Sequence, residues 1–281
     1  MKLDSAVIGG GTMGAGIAYV AAAAGGRVFV VEPDDARAGA LDRTIRAAVA
    51  SAVKRGKMSD SDGAALVARI ERVNVVERLP LGLALVVESV PERLELKLQV
   101  LAQAAARKPA LLATNTSSLS IDRLSQAVAD PATFLGMHFF NPVWSLKLVE
   151  IIRGERTSTE AVDSARAISS WLGKESLVVR DVPGFATSRL DLIASLEAMR
   201  MLESGVASAE DIDRAAVLAY RHPVGPLRLS DIVGLDVRLD IARSLAAAHG
   251  PRFAPPPILE RMVREGKLGE KSGQGFFTWP T

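Results

Sequence analysis

The stretch Val7-Ile-Gly9-Gly10-Gly11-Thr12-Met13-Gly14 spaces three of its glycines as Gly-x-Gly-x-x-Gly. An apolar run at 5–9 predicts a strand before the turn, and the alanine-rich segment 12–24 predicts a helix after it. In such a unit the first glycine makes the tight turn, the second lets the backbone approach a pyrophosphate, and the third lets the helix pack closely on the strand. The helix N-terminus then presents its N–H groups to the phosphate charge. The stretch therefore predicts a dinucleotide-binding turn, with contacts from Gly9, Gly11, Thr12, Met13 and Gly14.

Glu32 ends the next strand-like run, 27–32, about twenty residues after the glycines. A strand before the glycines, a helix after them and an acid at the end of the following strand together distinguish a dinucleotide site from a glycine-rich surface turn. The Glu32 carboxylate can accept hydrogen bonds from both hydroxyls of an adenosine ribose, and it would repel a 2′-phosphate. The predicted cofactor is therefore NAD rather than NADP.

Strand-like and helical segments alternate over the first two thirds of the chain, as in a parallel sheet with crossover helices. Further strands are predicted at 83–88, 110–114, 133–139, 146–152 and 175–179, and further helices at 34–57, 92–107 and 158–172. The turn cluster Asp181-Val-Pro-Gly184 predicts a domain boundary. Beyond it the candidate segments are helical: 185–204, 208–219, 226–233, 235–248 and 257–266. The predicted fold class is α/β, a Rossmann-type doubly wound domain (1–183) followed by a smaller all-α C-terminal domain (184–281).

The composition of the 281 residues excludes several classes of site. Lys and Arg total 34 against 32 Asp and Glu, and this lack of a basic excess argues against a nucleic-acid partner. The sequence has no cysteine, which excludes thiolate catalysis and cysteine-bound zinc. The histidines, at 138, 222 and 249, match no metal-ligand spacing, so no metal site is expected.

One uncharged segment, 6–26, is long enough to resemble a membrane span or the apolar part of a signal peptide. Its glycines fall at the positions that the dinucleotide-binding turn requires, and Asp4 interrupts a basic leader. We therefore expect a cytoplasmic protein without a membrane partner.

His138 follows one strand-like run, and Glu150 lies in the next. If the two strands are adjacent, the carboxylate can orient the imidazole, which can then take a proton from a substrate hydroxyl. From spacing alone, a structural histidine in a strand is the favoured interpretation.

Several motifs occur in order along the chain. They are Asn115-Thr-Ser117-Ser118-Leu119, His138-Phe-Phe-Asn141-Pro142, Lys147-Leu-Val-Glu150, Asp181-Val-Pro-Gly184-Phe185, Pro223-Val-Gly225-Pro226 and Gly269-Glu-Lys-Ser-Gly273-Gln-Gly275-Phe276. Together they resemble the 3-hydroxyacyl-CoA dehydrogenase family, and in length the chain is similar to its short bacterial 3-hydroxybutyryl-CoA members. The resemblance implies NAD-dependent oxidation of a 3-hydroxyacyl-CoA, (S)-3-hydroxybutyryl-CoA above all, to the 3-ketoacyl-CoA, and the reverse reaction.

The resemblance also implies roles for individual residues. His138 matches the general base, Glu150 its carboxylate partner, and Ser117 a catalytic hydroxyl that contacts the C3 oxygen of the substrate. Matches on the cofactor side are Glu92, Lys97 and Asn115, and matches on the substrate side are Asn141, Ser188 and, at the CoA phosphates, Lys54. Ser188 stands where the family usually has Asn; because the serine side chain is shorter, its contact with the substrate would need a bridging water.

The sequence leaves two other functions open. A related dehydrogenase of a non-CoA hydroxy acid, such as a sugar acid or carnitine, would keep the dinucleotide site and the histidine. A non-catalytic NAD-binding protein would need neither His138 nor Glu150. The resemblance further implies a homodimer, formed through the helical domain, and a place in fatty acid metabolism.

Overall fold

The computed structural model describes residues 3–280, which form two compact units divided between Val182 and Pro183. The first unit contains an eight-stranded sheet with the order β3-β2-β1-β4-β5-β6-β7-β8. Its strands are β1 (Ser5–Ile8), β2 (Val28–Val31), β3 (Ile70–Val73), β4 (Leu85–Glu88), β5 (Leu112–Thr114), β6 (Phe134–Phe139), β7 (Leu148–Arg153) and β8 (Glu175–Arg180).

The strand order 3-2-1-4-5-6 is that of a dinucleotide-binding doubly wound sheet. These strands pair in parallel, so their carboxyl ends meet at one edge of the sheet. Strand β7 is antiparallel to β6, and β8 is parallel to β7. The helices of this unit are α1 (Thr12–Ala23), α2 (Asp35–Lys54), α3 (Asp60–Ala68), α4 (Leu94–Ala105), α5 (Ile121–Leu124) and α6 (Thr159–Trp171).

Burial explains why the central strands form where the sequence predicts them. All four residues of β1, β2 and β4 are buried, as their continuous Val, Ile and Leu runs require in a sheet covered on both faces. The edge strand β3 is different, because only one of its four residues is buried. Its sequence, Ile-Glu-Arg-Val, carries no such apolar run, and neither β3 nor the preceding α3 was predicted.

The second unit is helical, with α7 (Thr187–Glu203), α8 (Ala209–Tyr220), α9 (Pro226–Val233), α10 (Leu235–His249) and α11 (Pro257–Arg264). Its core includes Leu196, Leu227 and Leu259, each fully buried. Buried Asp231 holds the C-terminal segment by accepting hydrogen bonds at 2.9 Å from the backbone N–H groups of Phe276 and Phe277 and from the indole N–H of Trp279.

The predicted fold class is confirmed: a mainly parallel α/β unit precedes an all-α unit. The predicted helices and strands are all present, and their ends differ by up to three residues from the predicted ends. Within residues 3–280, none of the helices is both long and apolar enough to cross a membrane. The uncharged segment 6–26 forms β1, the glycine turn and α1 instead.

Candidate active site

A cavity of about 940 Å³ lies at the carboxyl edge of the first unit's sheet. Its wall comes from the loops that follow β1, β2, β3, β4 and β5, from the end of β6 and from part of α4. This edge is where doubly wound sheets bind ligands. The wall includes most of the predicted site residues of this unit, namely Gly9, Gly11, Thr12, Met13, Glu32, Glu92, Asn115, Ser117 and His138.

The glycine turn has the geometry that a dinucleotide requires. Gly9 has a positive φ of 109°, and a Cβ there would lie 2.6 Å from the Ser89 carbonyl oxygen. A Cβ on Gly14 would lie 1.8 Å from the Gly9 carbonyl oxygen, so α1 can pack on β1 only through glycine. A Cβ on Gly11, in contrast, would meet no atom of the described chain within 4 Å. The backbone at Gly11 is thus open to a phosphate group at the N-terminus of α1.

Glu32 closes one end of the cavity, just after β2. Its side chain is 5% exposed. One carboxylate oxygen, Oε2, accepts a hydrogen bond from Gly10 N–H at 3.1 Å. The other, Oε1, accepts from Asp34 N–H at 3.1 Å and from Arg37 Nε at 3.0 Å. The Glu32 carboxylate is therefore held in one orientation beside the glycine turn, and its contact with the adenosine ribose stays a prediction.

His138 and Glu150 are brought together by the antiparallel pairing of β6 and β7, in which the two residues are directly opposite. The distance from His138 Nδ1 to Glu150 Oε2 is 2.8 Å. Glu150 is fully buried, whereas the histidine side chain is 12% exposed and lines the cavity. The predicted proximity of the two residues is confirmed, and a buried carboxylate fixes the orientation of a ring on the cavity wall.

Asn115 and the loop that follows it are held on the cavity wall by hydrogen bonds to β6 and to Glu92. The Asn115 side-chain oxygen accepts a hydrogen bond at 3.0 Å from Phe139 N–H, next to His138. Glu92 Oε1 accepts from the backbone N–H groups of Ser117 and Ser118, at 3.1 and 3.2 Å, and from the Thr116 hydroxyl. The loop that carries Ser117 is thereby held by the Glu92 carboxylate.

A buried ion pair lies behind this wall. Lys97 Nζ is 2.9 Å from both carboxylate oxygens of Glu88, and both side chains are 0% exposed. The same ammonium donates to the Asn115 carbonyl oxygen at 3.1 Å and lies 3.4 Å from Glu92 Oε2. Lys97, predicted on the cofactor side, thus lies behind the wall. Sequence reasoning missed Glu88, because its place at the end of an apolar run does not reveal that it is buried with Lys97.

Two predicted substrate residues of the first unit are not on the cavity wall, and a third belongs to the second unit. Asn141 is exposed just after β6, and Lys54 is exposed at the end of α2, on a second cavity of about 660 Å³ between α2 and α3. Ser188 is half-buried in the first turn of α7, in the second unit. Their substrate contacts stay predictions.

Sequence reasoning also missed Lys174, a buried lysine near the start of β8. Its ammonium donates to the carbonyl oxygens of Val143 and Leu146, in the loop between β6 and β7. Burial lowers the pKa of Lys174. The residue supports the hairpin that carries His138 and Glu150.

Comparisons with known proteins identify the family. A family model described as the NAD-binding domain of 3-hydroxyacyl-CoA dehydrogenase matches residues 4–182, and one described as the C-terminal domain of that enzyme matches residues 184–279. The chain belongs to the 3-hydroxyacyl-CoA dehydrogenase family. The family assignment and the predicted NAD cofactor are confirmed, and the open turn at Gly11 beside Glu32 fits a dinucleotide.

Full-length relatives are similar throughout. A 3-hydroxybutyryl-CoA dehydrogenase of Mycobacterium tuberculosis is 38% identical over 97% of both chains. The mitochondrial hydroxyacyl-coenzyme A dehydrogenase of Sus scrofa is 36% identical over 97% of this chain and 90% of its own. The crystal structure of an (S)-3-hydroxybutyryl-CoA dehydrogenase from Ralstonia eutropha covers 100% of both chains with 34% identity and a TM-score of 0.94. The dehydrogenase described here is accordingly an NAD-dependent oxidoreductase of this family.

The Glu92 carboxylate, which holds the loop that carries Ser117, has a lowered pKa. Burial tends to raise the pKa of Glu92, but hydrogen bonds from Thr116, Ser118 and Ser117, together with the charge of Lys97, outweigh burial and hold this pKa below its usual value. A carboxylate whose pKa is lowered by folding stabilises the folded state above its unfolded pKa, and this stabilisation is lost as the pH falls through the folded pKa.

We therefore expect Glu92→Gln to lower the melting temperature more at pH 7 than at acidic pH. The difference from the unchanged enzyme shrinks once the pH falls below about 4.3, because the protonated carboxyl then resembles the amide. Thermal unfolding of the variant and the unchanged enzyme, from pH 7 to below about pH 4.3, measures this difference in melting temperature. A difference that does not change with pH would contradict this account of Glu92.

Proposed function

We propose that this chain oxidises (S)-3-hydroxybutyryl-CoA to the 3-ketoacyl-CoA with NAD as acceptor and catalyses the reverse reaction. The observation that carries the proposal is the His138–Glu150 pair, 2.8 Å apart, on the wall of the cavity that contains the glycine turn. The short chain length of the acyl group is supported by the names of the bacterial relatives.

His138 is the proposed general base. An ionised Glu150 accepts a hydrogen bond from Nδ1–H, so the neutral ring carries its lone pair on Nε2. Nε2 then takes the proton of the C3 hydroxyl, and the Glu150 carboxylate stabilises the imidazolium that results. In the reverse direction the imidazolium returns the proton to the C3 oxygen. NAD, when bound, accepts the hydride that leaves C3.

Other residues position the reactants in this proposal. Ser117, exposed on the cavity wall, donates a hydrogen bond to the C3 oxygen. Gly9, Gly11 and the first turn of α1 hold the pyrophosphate, and Glu32 holds the adenosine ribose. Asn115 and Glu92 contact the nicotinamide side of the cofactor, with Lys97 as a positioning residue behind them.

The proposed substrate contacts come from residues that do not line the cavity. Asn141 and Ser188 are proposed to contact the acyl group, and Lys54 the CoA phosphates, where an ammonium provides a suitable charge.

The first unit is proposed as the NAD-binding domain and the second as the substrate and dimerisation domain. Exposed apolar side chains on its helices, Leu190, Ile232, Val233 and Val237, support a homodimer. The enzyme is further proposed to act in the cytoplasm, in fatty acid metabolism.

The test is an assay of NADH oxidation with acetoacetyl-CoA, longer 3-ketoacyl-CoAs and free acetoacetate. We expect acetoacetyl-CoA to be reduced with the highest kcat/KM, and NADPH to replace NADH poorly. Activity on free 3-keto acids but not on their CoA esters would contradict the CoA assignment. Tight NADH binding without turnover of any of these substrates would contradict the enzymatic assignment.

A further inference from the structure

Arg37 forms an unusual pair with Glu32 at one end of the cavity. Its Nε lies 3.0 Å from Glu32 Oε1, and both side chains line the cavity. The acid is 5% exposed, whereas the arginine side chain is 61% exposed. A largely buried carboxylate therefore holds a cation that otherwise faces solvent, at the position where a dinucleotide presents its adenosine ribose.

Of the basic side chains that the structure describes near Glu32, Arg37 is the one that can reach the adenosine ribose of a bound dinucleotide. Among residues 3–280, the arginines and lysines on the cavity wall are Arg37 and Arg93, and Arg93 belongs to the loop after β4. Arg72 donates to the Glu32 carbonyl oxygen at 2.9 Å, pairs with Asp35 at 2.7 Å and does not line the cavity. Arg37 lies 4.0 Å from Asp34, so this second contact is looser than the one to Glu32.

We infer that Arg37 is a specificity-determining residue, a binding group for a 2′-phosphate that Glu32 keeps neutralised. Glu32 opposes NADP in two ways: its charge repels the phosphate, and its ion pair engages the Nε of the guanidinium. Without the carboxylate, the planar guanidinium can bind the phosphate through charge-assisted hydrogen bonds. The inference rests on the proposed placement of the adenosine ribose at Glu32.

Glu32→Ser tests the inference, because it removes the charge and leaves room for a phosphate. The dissociation constants of NADH and NADPH are measured from the fluorescence of the reduced nicotinamide. We expect Glu32→Ser to weaken NADH binding by about tenfold or more, because charged hydrogen bonds to the ribose are lost. We expect it to tighten NADPH binding by about tenfold.

The role of Arg37 is isolated by second substitutions in the Glu32→Ser background. Adding Arg37→Ala should remove most of the gain in NADPH affinity. The matched control is Arg43→Ala, which removes the same charge from an exposed position on the same helix, off the cavity wall. This control should change NADPH affinity by less than about twofold. If Glu32→Ser fails to fold, Glu32→Gln repeats the series with a side chain of nearly the same shape.

Each outcome is distinct. A gain in NADPH affinity that persists without Arg37, or that Arg43→Ala removes equally, would overturn the inference while leaving the proposed function intact. A Glu32→Ser variant that binds NADPH no better would also overturn it. Unchanged NADH affinity in Glu32→Ser would overturn the placement of the ribose, and the inference with it.

Discussion

Replacing His138 with glutamine should lower kcat by about 10²–10⁴-fold while leaving NADH affinity within about threefold. The amide can still occupy the wall near Glu150, but it cannot take a proton from the C3 hydroxyl. The glycine turn and Glu32, which hold the dinucleotide in our proposal, are unchanged. Steady-state rates with acetoacetyl-CoA and NADH, together with NADH fluorescence titration, measure the two effects separately.

His222→Gln is the matched control, because it makes the same change at an exposed position of the second unit. It should leave both kcat and NADH affinity unchanged. A His138→Gln enzyme that kept its rate would remove the general base from the mechanism. A variant that lost NADH binding to the same extent as its rate would instead indicate that His138 shapes the cofactor site.

The proximity of His138 and Glu150 could be predicted only in part. Two strand-like runs separated by a short connection indicate an adjacent pair, but they do not give the register. The register decides the matter, because a shift of one residue would turn Glu150 to the opposite face of the sheet. The observed pairing places the two residues directly opposite, whereas the resemblance to the family implied only that Glu150 is the carboxylate partner of His138.

The glycine turn was predictable because its signals are local. Gly9 has a positive φ in the turn, and Gly14 packs against the Gly9 carbonyl oxygen of the same strand–turn–helix unit. The contacts of Lys97 with Asn115 and of Lys174 with Val143 join segments 18 and 31 residues apart, which only the assembled sheet brings together. Glu88 is nine residues from Lys97, but the sequence does not show that the two side chains are buried together. Arg37 is close to Glu32 in sequence, yet an arginine in the first turns of a helix ordinarily indicates a solvated side chain.

The buried pair of Lys97 and Glu88 should have the largest effect on stability. We expect Lys97→Met to lower the free energy of unfolding by about 3–5 kcal/mol, because it leaves a carboxyl group buried without its counter-ion. Burial raises the pKa of Glu88, and the charge of Lys97 together with hydrogen bonds from Thr114 and Val90 opposes that rise. Without Lys97 the carboxyl group would be protonated at higher pH, so the cost of the substitution should diminish in acid.

The same substitution should weaken NADH binding, since Lys97 also donates to the Asn115 carbonyl oxygen and lies beside Glu92. Denaturant unfolding and NADH titration measure the two effects. Adding Glu88→Gln to Lys97→Met should recover part of the lost stability, because the neutral amide needs no counter-ion. Lys57→Met, at an exposed position, is the control and should change stability by less than about 0.5 kcal/mol. If the double variant were less stable than Lys97→Met, the loss would come from packing around the two side chains, and the ion pair would not be its cause.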